Sequence, residues 1–190
     1  MADIGDQAPN FSGDDVQGGG TFSLSDHAGQ VVVVAFNGIS WCGPCRFEAP
    51  ILQELWVEME PLGVQFVMIS VGEDVAAFTA GLASFGITMP ALWDAAIATA
   101  YDVPLLPKLF ILDRDLQVFQ IHVGAGPPAD ELKESIRSDI LTAQGWPTKD
   151  QMMGCLYEIA RKLGIVFLFG GLFGWKRKPK ISGKTETPAA

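Results

Sequence analysis

Three cysteines in 190 residues are too few for a disulfide scaffold, and two histidines leave little with which to complete a metal site. Charge is also scarce. Charged residues make up 18% of the chain against 48% apolar, which excludes a disordered polyelectrolyte and predicts an ordered fold. Residues 1–150 hold only 6 Lys and Arg against 20 Asp and Glu, a net of −14. Nucleic acid is thereby set aside as a partner, because binding to phosphate backbones needs clustered cations. The N-terminus, MADIGDQAPN, has acids where a signal peptide has a basic region, and no apolar segment follows it. No signal peptide is expected, and the expected location is cytoplasmic.

What is present reads as one α/β domain over residues 1–146, a mixed sheet with helices on both faces. Gly18-Gly19-Gly20 between Phe11 and Thr21-Phe22-Ser23-Leu24 predicts an N-terminal hairpin with a loose turn. The β-branched run from Val31 to Phe36 predicts a central strand buried on both faces. Phe47, Ile51, Leu55 and Met59, spaced by four up to Pro61, predict a helix with an inward face. Val64 to Val71 is a second buried strand, so strand, helix and strand form a parallel crossover. Glu73 and Asp74 open a further helix with Phe78, Leu82 and Phe85 inward, and a looser segment runs to Tyr101. Leu109 to Leu112 and Val118 to Val123 flank Asp113-Arg114-Asp115 as an edge hairpin. Leu132, Ile136 and Ile140 mark the last helix, with Asp130 and Glu131 in its first turn.

Chemistry concentrates in Trp41-Cys42-Gly43-Pro44-Cys45, placed where a buried strand gives way to a helix. A thiol attacks a disulfide only as thiolate, and a second thiol must lie close enough to release the mixed disulfide. Cys42, at the exposed helix start, gains from unpaired backbone N–H groups and is the expected nucleophile. Cys45, a turn further in, is the expected resolving thiol. Pro44 donates no hydrogen bond and stiffens the turn, so Gly43 and Pro44 shape access to the thiolate. Trp41 offers a flat apolar contact for a partner peptide. Half of a zinc site is the competing interpretation of the pair, but His27, His122 and Cys155 are isolated and do not complete one. No metal or organic cofactor is required.

The segment WCGPC after a buried strand resembles the active-site motif of thioredoxins. The wider pattern GDQAPNF, TFSLSDHAGQVVVVAF, WCGPCRFEAPILQEL, LPKLFILDRD and VFQIHVG is similar to the TlpA and ResA type of thioredoxin-like proteins and the related redoxins. It covers residues 4 to about 143. The resemblance implies a thioredoxin-like fold and a cis-proline facing the thiols, at Pro107 with Pro104 as competitor. The Leu106 N–H and C=O would then pair with an extended substrate strand. The resemblance also implies a buried acid that moves protons for the resolving thiol. The strand Val-Val-Val-Val-Ala-Phe supplies none, and Asn37, Glu48 or water are the substitutes. The stretch AFNGISWC is one residue longer than usual. Lys108 stands where relatives carry a small polar residue, either close enough to Cys42 to lower its pKa or simply solvated. Ala35 and Ile39 occupy the positions of the Pro and Thr that peroxiredoxins use to bind peroxide, which argues against peroxidase chemistry.

Residues 151–190 invert the charge, with 7 Lys and Arg against 2 Asp and Glu. Residues 147–175 are expected to be helical, amphipathic and then wholly apolar over LGIVFLFGGLFGW, and residues 176–190 a basic, disordered tail. Thirteen apolar residues span about 20 Å as a helix, short of the roughly 30 Å bilayer core. Residues 150–180 are therefore expected to lie at an anionic membrane face, on the inner side, or to dock on a partner; packing against the domain itself is the alternative. Cys155 is a buried small hydrophobe or, alternatively, part of a regulatory disulfide. The chain as a whole is expected to reduce protein disulfides by dithiol–disulfide exchange, with a dithiol reductant as its second partner. The alternatives are a thioredoxin-fold binding subunit of a membrane-associated complex and a thiol peroxidase.

Overall fold

The three consecutive glycines close a short hairpin, because Gly18 and Gly20 adopt φ of +86° and +97°, a region side chains disfavour. In a computed structural model, which describes residues 2–126 and 128–147, β1 (Ser12–Asp14) pairs antiparallel with β2 (Thr21–Ser23). The apolar run that follows becomes β3 (Val32–Asn37), every residue of which is buried. Then come α1 (Gly43–Met59), β4 (Gln65–Ser70), α2 (Val75–Ser84), β5 (Ala91–Leu92), α3 (Ala95–Ala100), β6 (Lys108–Leu112), β7 (Val118–Val123) and α4 (Ala129–Ala143).

The main sheet has the order β5-β4-β3-β6-β7, so β3 is central as the composition of its run requires. β3 and β4 are parallel, in register from Val32 opposite Gln65 to Asn37 opposite Ser70, and α1 supplies the crossover between them. β6 returns antiparallel to β3 and pairs with β7 on its other side. Alternation across β3 explains why no polar residue interrupts it. Val33 and Ala35 face a core built with Leu52 and Leu55 of α1, Phe78 and Leu82 of α2, and Ile136 and Ile140 of α4. Val32, Val34 and Phe36 face a second core with Phe11, Phe22, Ile97 and Tyr101. Each fully buried aliphatic or aromatic side chain contributes about 1.5–3 kcal/mol of transfer free energy. The fold is thus thioredoxin-like, a mixed sheet covered on both faces with an N-terminal hairpin.

Three local expectations change. Phe47 is 45% exposed and does not belong to the inward face of α1. A strict spacing of four drifts roughly 40° per step on a helix of 3.6 residues per turn. The buried stripe instead runs through Cys45, Glu48, Ala49, Leu52, Leu55 and Met59. Phe85 likewise ends α2 half-exposed, while Phe78 and Leu82 are buried. The looser segment before Tyr101 contains β5 and the one-and-a-half-turn α3, which starts where the Asp94 carboxylate accepts from Ala96 N at 2.8 Å.

The chain divides into two units, Met1–Thr148 and Lys149–Ala190. Beyond Pro147, the expected helical segment 147–175, the tail 176–190, the docking element 150–180 and Cys155 lie outside the described residues. Among the described residues no helix is long and apolar enough to cross a membrane.

Candidate active site

The redox pair sits where β3 hands over to α1, and the connecting loop is tied down at every residue. Gly38 O accepts from both Trp41 N at 3.1 Å and Cys42 N at 2.8 Å. Ile39 turns inward and is fully buried in the core shared by α1 and α2. Ser40 N donates to Glu73 Oε2 at 2.8 Å. Arg46, one turn into α1, donates from Nε to Ile39 O at 2.9 Å and from its terminal nitrogen to Ser40 O. Glu73 therefore does not open α2 as expected. Asp74 caps that helix, its carboxylate accepting from Ala77 N at 2.8 Å, and Glu73 holds the loop instead.

Cys42 is the N-cap of α1, in extended conformation, and is joined to Cys45 by a disulfide. Its Sγ accepts from Cys45 N at 3.2 Å. That N–H is one of the donors a helix start leaves unpaired, so reduction delivers a thiolate into a site already aimed at negative charge. Pro44 occupies the first turn, where a missing donor costs nothing, and Gly43 faces open space. Cys42 retains 6% exposure while Cys45 is completely buried, so of the two Cys42 is the one nearer the surface. Trp41 is half-exposed beside them, its indole packed over Gly38 and Gly72 and its Nε1 donating to Val71 O at 3.1 Å.

Beneath the disulfide lie two buried polar side chains. Asn37, the last residue of β3, donates from Nδ2 to Cys45 O at 3.3 Å, and its Oδ1 has no partner among the described residues. Glu48 follows Cys45 by one helical turn on the buried face of α1, is 1% exposed, and its Oε2 has no partner among the described residues. Burial away from water pushes its carboxyl from the ordinary 4.5 up to about 8. Of Asn37 and Glu48, only Glu48 titrates. A buried acid thus stands on the helix, three residues after Cys45, where β3 supplies none.

The Leu106–Pro107 peptide bond is cis and the bond before Pro104 is not. Pro107 is buried and its carbonyl accepts from Gly124 N at 2.8 Å. Neither the N–H nor the C=O of Leu106 is hydrogen-bonded among the described residues. Lys108 is engaged away from the thiols. Its ammonium donates to Asp102 O at 3.1 Å and stands 4.8 Å from the centre of the Phe110 ring, on the sheet face opposite α1. Strand alternation sends residues 108 and 110 to that face, which removes the idea of an ammonium beside Cys42. Among the described residues no group of three or more His, Cys, Asp or Glu side chains is placed to hold a metal ion.

Residues 4–121 match the model of the AhpC/TSA family. The chain belongs to the AhpC/TSA family. Within it, the chain is 34% identical over 123 residues to a thiol-disulfide oxidoreductase ResA of Geobacillus kaustophilus, covering 64% of this chain and 70% of that one. It is 33% identical over 122 residues to the ResA of Bacillus subtilis, covering 63% and 67%. Among solved structures, a thioredoxin-family thiol:disulfide interchange protein from Chlorobium tepidum superposes with a TM-score of 0.65 at 25% identity, covering 75% of this chain and 99% of that one. With a joined Cys-x-x-Cys pair at a helix start and these relatives, this AhpC/TSA member is a thiol–disulfide oxidoreductase of the ResA-like type.

Sequence reasoning placed the pair, the cis-proline and the alternatives for the acid. It missed Arg46 and Glu73. Arg46 had a usable signal, since a residue four after Cys42 lies over the first turn of α1 and can reach back to the loop. Glu73 had none, because its contact to Ser40 spans 33 residues.

Proposed function

We propose that this chain is a reductant of protein disulfides, in which Cys42 attacks and Cys45 resolves. The carrying observation is the asymmetry of the pair, an accessible sulfur capped by a helix N–H and a buried one beside a buried carboxyl. The Cys42 thiolate attacks one sulfur of the partner disulfide and expels the other as a thiolate. The mixed disulfide lies between Trp41 and Leu106, whose free backbone N–H and C=O pair with the substrate strand. Cys45 then loses its proton to Glu48 in its ionised form and attacks Cys42 Sγ, which breaks the mixed disulfide, releases the partner as a dithiol once both its sulfurs are protonated, and restores the disulfide seen here. Two electrons and two protons pass to the partner in each cycle, and an external dithiol reductant returns them to the pair. A carboxyl at about 8 is close to the ordinary thiol range near 8.5, so a proton moves between the two groups with little penalty.

The test is insulin reduction by the full chain with a dithiol donor. Turnover is expected for the parent, none for Cys42→Ser, and a trapped mixed disulfide for Cys45→Ser. Turnover that survives Cys42→Ser would remove the assignment. Peroxide reduction is disfavoured because Ala35 and Ile39, at the positions where peroxide would be polarised, are apolar and buried.

Docking through residues 150–180 on an inner membrane face rests on composition, thirteen apolar residues followed by Lys176-Arg177-Lys178-Pro179-Lys180. Sedimentation of the full chain with anionic vesicles, compared with a chain ending at residue 148, tests it. Equal soluble fractions would dismiss the membrane and leave a protein partner or packing on the chain's own domain or a second copy.

A further inference from the structure

Beside the thiols, two cavities of about 350 and 440 Å³ share Gly72 and Ala95 and so form one trough. It runs along the ends of β4 and β5 to Pro104, two residues before Leu106. Its wall continues into Trp41, whose ring packs on Gly72. A second indole, Trp93, lines the trough and is 50% exposed. Both indoles are held at one edge, Trp41 through Val71 O at 3.1 Å and Trp93 through Glu73 O at 2.7 Å. A bulky apolar side chain left half in water and fixed in place is prepared to receive something flat against its face.

The charge around the trough has one sign. Glu73, Asp74 and Asp102 line it, and Asp94 adjoins Trp93 and Ala95. None of the four is in an ion pair among the described residues. Their known duties are hydrogen bonds: Glu73 accepts from Ser40 N and Ser70 Oγ, and Asp74 and Asp94 cap α2 and α3. Among the described residues the lining contains no cation. The neighbouring Lys108 is occupied by the Asp102 carbonyl and the Phe110 ring.

We propose that this trough selects protein disulfides whose cysteine is followed or preceded, within a few residues, by arginine or lysine, the cation lying on Trp93 beside Glu73 and Asp74, with Asp102 further along the trough. A guanidinium or ammonium over an indole face gains from the ring quadrupole, and the carboxylates add Coulomb attraction and steer the encounter. Residues 1–150, at −14, favour the same class of partner over its whole surface. The proposal names the substrate class for the reading above and rests on it.

The experiment measures second-order rates of reduction by the reduced full chain for matched disulfide peptides that differ only in a flanking arginine, norleucine or glutamate. Hydroxyethyl disulfide is run alongside as a small uncharged substrate. Arginine is expected to exceed norleucine by about five- to tenfold, with glutamate slowest, and the difference to shrink in high salt. Trp93→Ala combined with Asp74→Asn, which keeps a good cap, should bring the three peptides within about twofold while melting normally. Norleucine equal to or faster than arginine, with hydroxyethyl disulfide still reduced, overturns the charge assignment and makes the trough a plain apolar slot. A preference that survives the double substitution overturns its placement in the trough. No thiol-dependent reduction of hydroxyethyl disulfide overturns the oxidoreductase reading itself and this proposal with it.

Discussion

Glu48 lies one helical turn after Cys45 on the same buried face of α1, with no hydrogen-bond partner for its Oε2 among the described residues. A buried carboxyl left unpaired costs stability, so its presence beside the resolving thiol calls for a gain elsewhere. The proposed reduction cycle supplies that gain in the form of a proton acceptor near the thiol range, where an ordinary carboxylate at 4.5 would be too weak a base.

The cost is measurable. Folding raises the Glu48 pKa from 4.5 to about 8, so between those values the folded chain holds a proton that the unfolded chain has released. Stability therefore falls as pH rises through that window. Glu48→Gln should match the parent below pH 4.5 and exceed it at pH 8 by roughly 2 kcal/mol or more, read from urea denaturation. The same variant should resolve mixed disulfides more slowly, on the order of a hundredfold. A variant that is less stable than the parent at pH 8 would contradict the buried, unpaired carboxyl.

Much of this could be read before any coordinates. The run Val31 to Phe36 announces a strand covered on both sides, and WCGPC at its end announces the pair, because both signals are local. Glu48 was visible only as one of three substitutes, since burial, not residue type, makes it a base. Trp93 and the trough were invisible, as they arise where β4, β5 and the start of α3 meet. Phe47 misled because a spacing of four drifts away from the 3.6-residue turn.

Asn37 tests the same site from the strand side. Asn37→Asp removes the donor to Cys45 O and puts a second buried carboxyl next to the face that carries Glu48. Two such groups cannot both ionise without large cost. A loss of about 3 kcal/mol or more is expected at pH 8, with recovery as the pH falls toward 4. Thermal melts at the two pH values decide it. A loss independent of pH would mean that only the hydrogen bond mattered.

Away from the site, α4 is clasped to α1 by Arg137 on Glu58 at 2.6 Å and by Lys133 on Glu54 at 2.7 Å. The hydrogen bond from Arg137 holds the Glu58 carboxyl below its ordinary range. The pair therefore stabilises above the carboxylate's unfolded pKa and loses its contribution as pH falls through the depressed value. Because both partners reach solvent, Arg137→Ala should cost no more than about 1 kcal/mol at pH 7. Denaturation in 1 M salt should erase most of that difference, and an undiminished loss would point to packing of the guanidinium stem.

Gly81 links α2 to the redox loop through Ile39. A Cβ on Gly81 would stand 2.4 Å from Ile39 Cγ2, and Ile39 is branched, fully buried and already packed, so it has no free rotamer to escape into. Alanine is the better helix former, and on an open helix face Gly81→Ala would stabilise the chain by up to about 1 kcal/mol. Here overpacking should reverse the sign, with a net loss of about 1–3 kcal/mol. Ile39 belongs to the hydrogen-bonded Gly38–Trp41 loop that positions Cys42, so its displacement is passed to that loop. Disulfide reduction should therefore slow in Gly81→Ala by more than its stability loss explains, measured at a temperature where both proteins are folded. Restoring room with Ile39→Val in the same chain should recover most of the rate, and failure to recover would show that the loop does not depend on this contact.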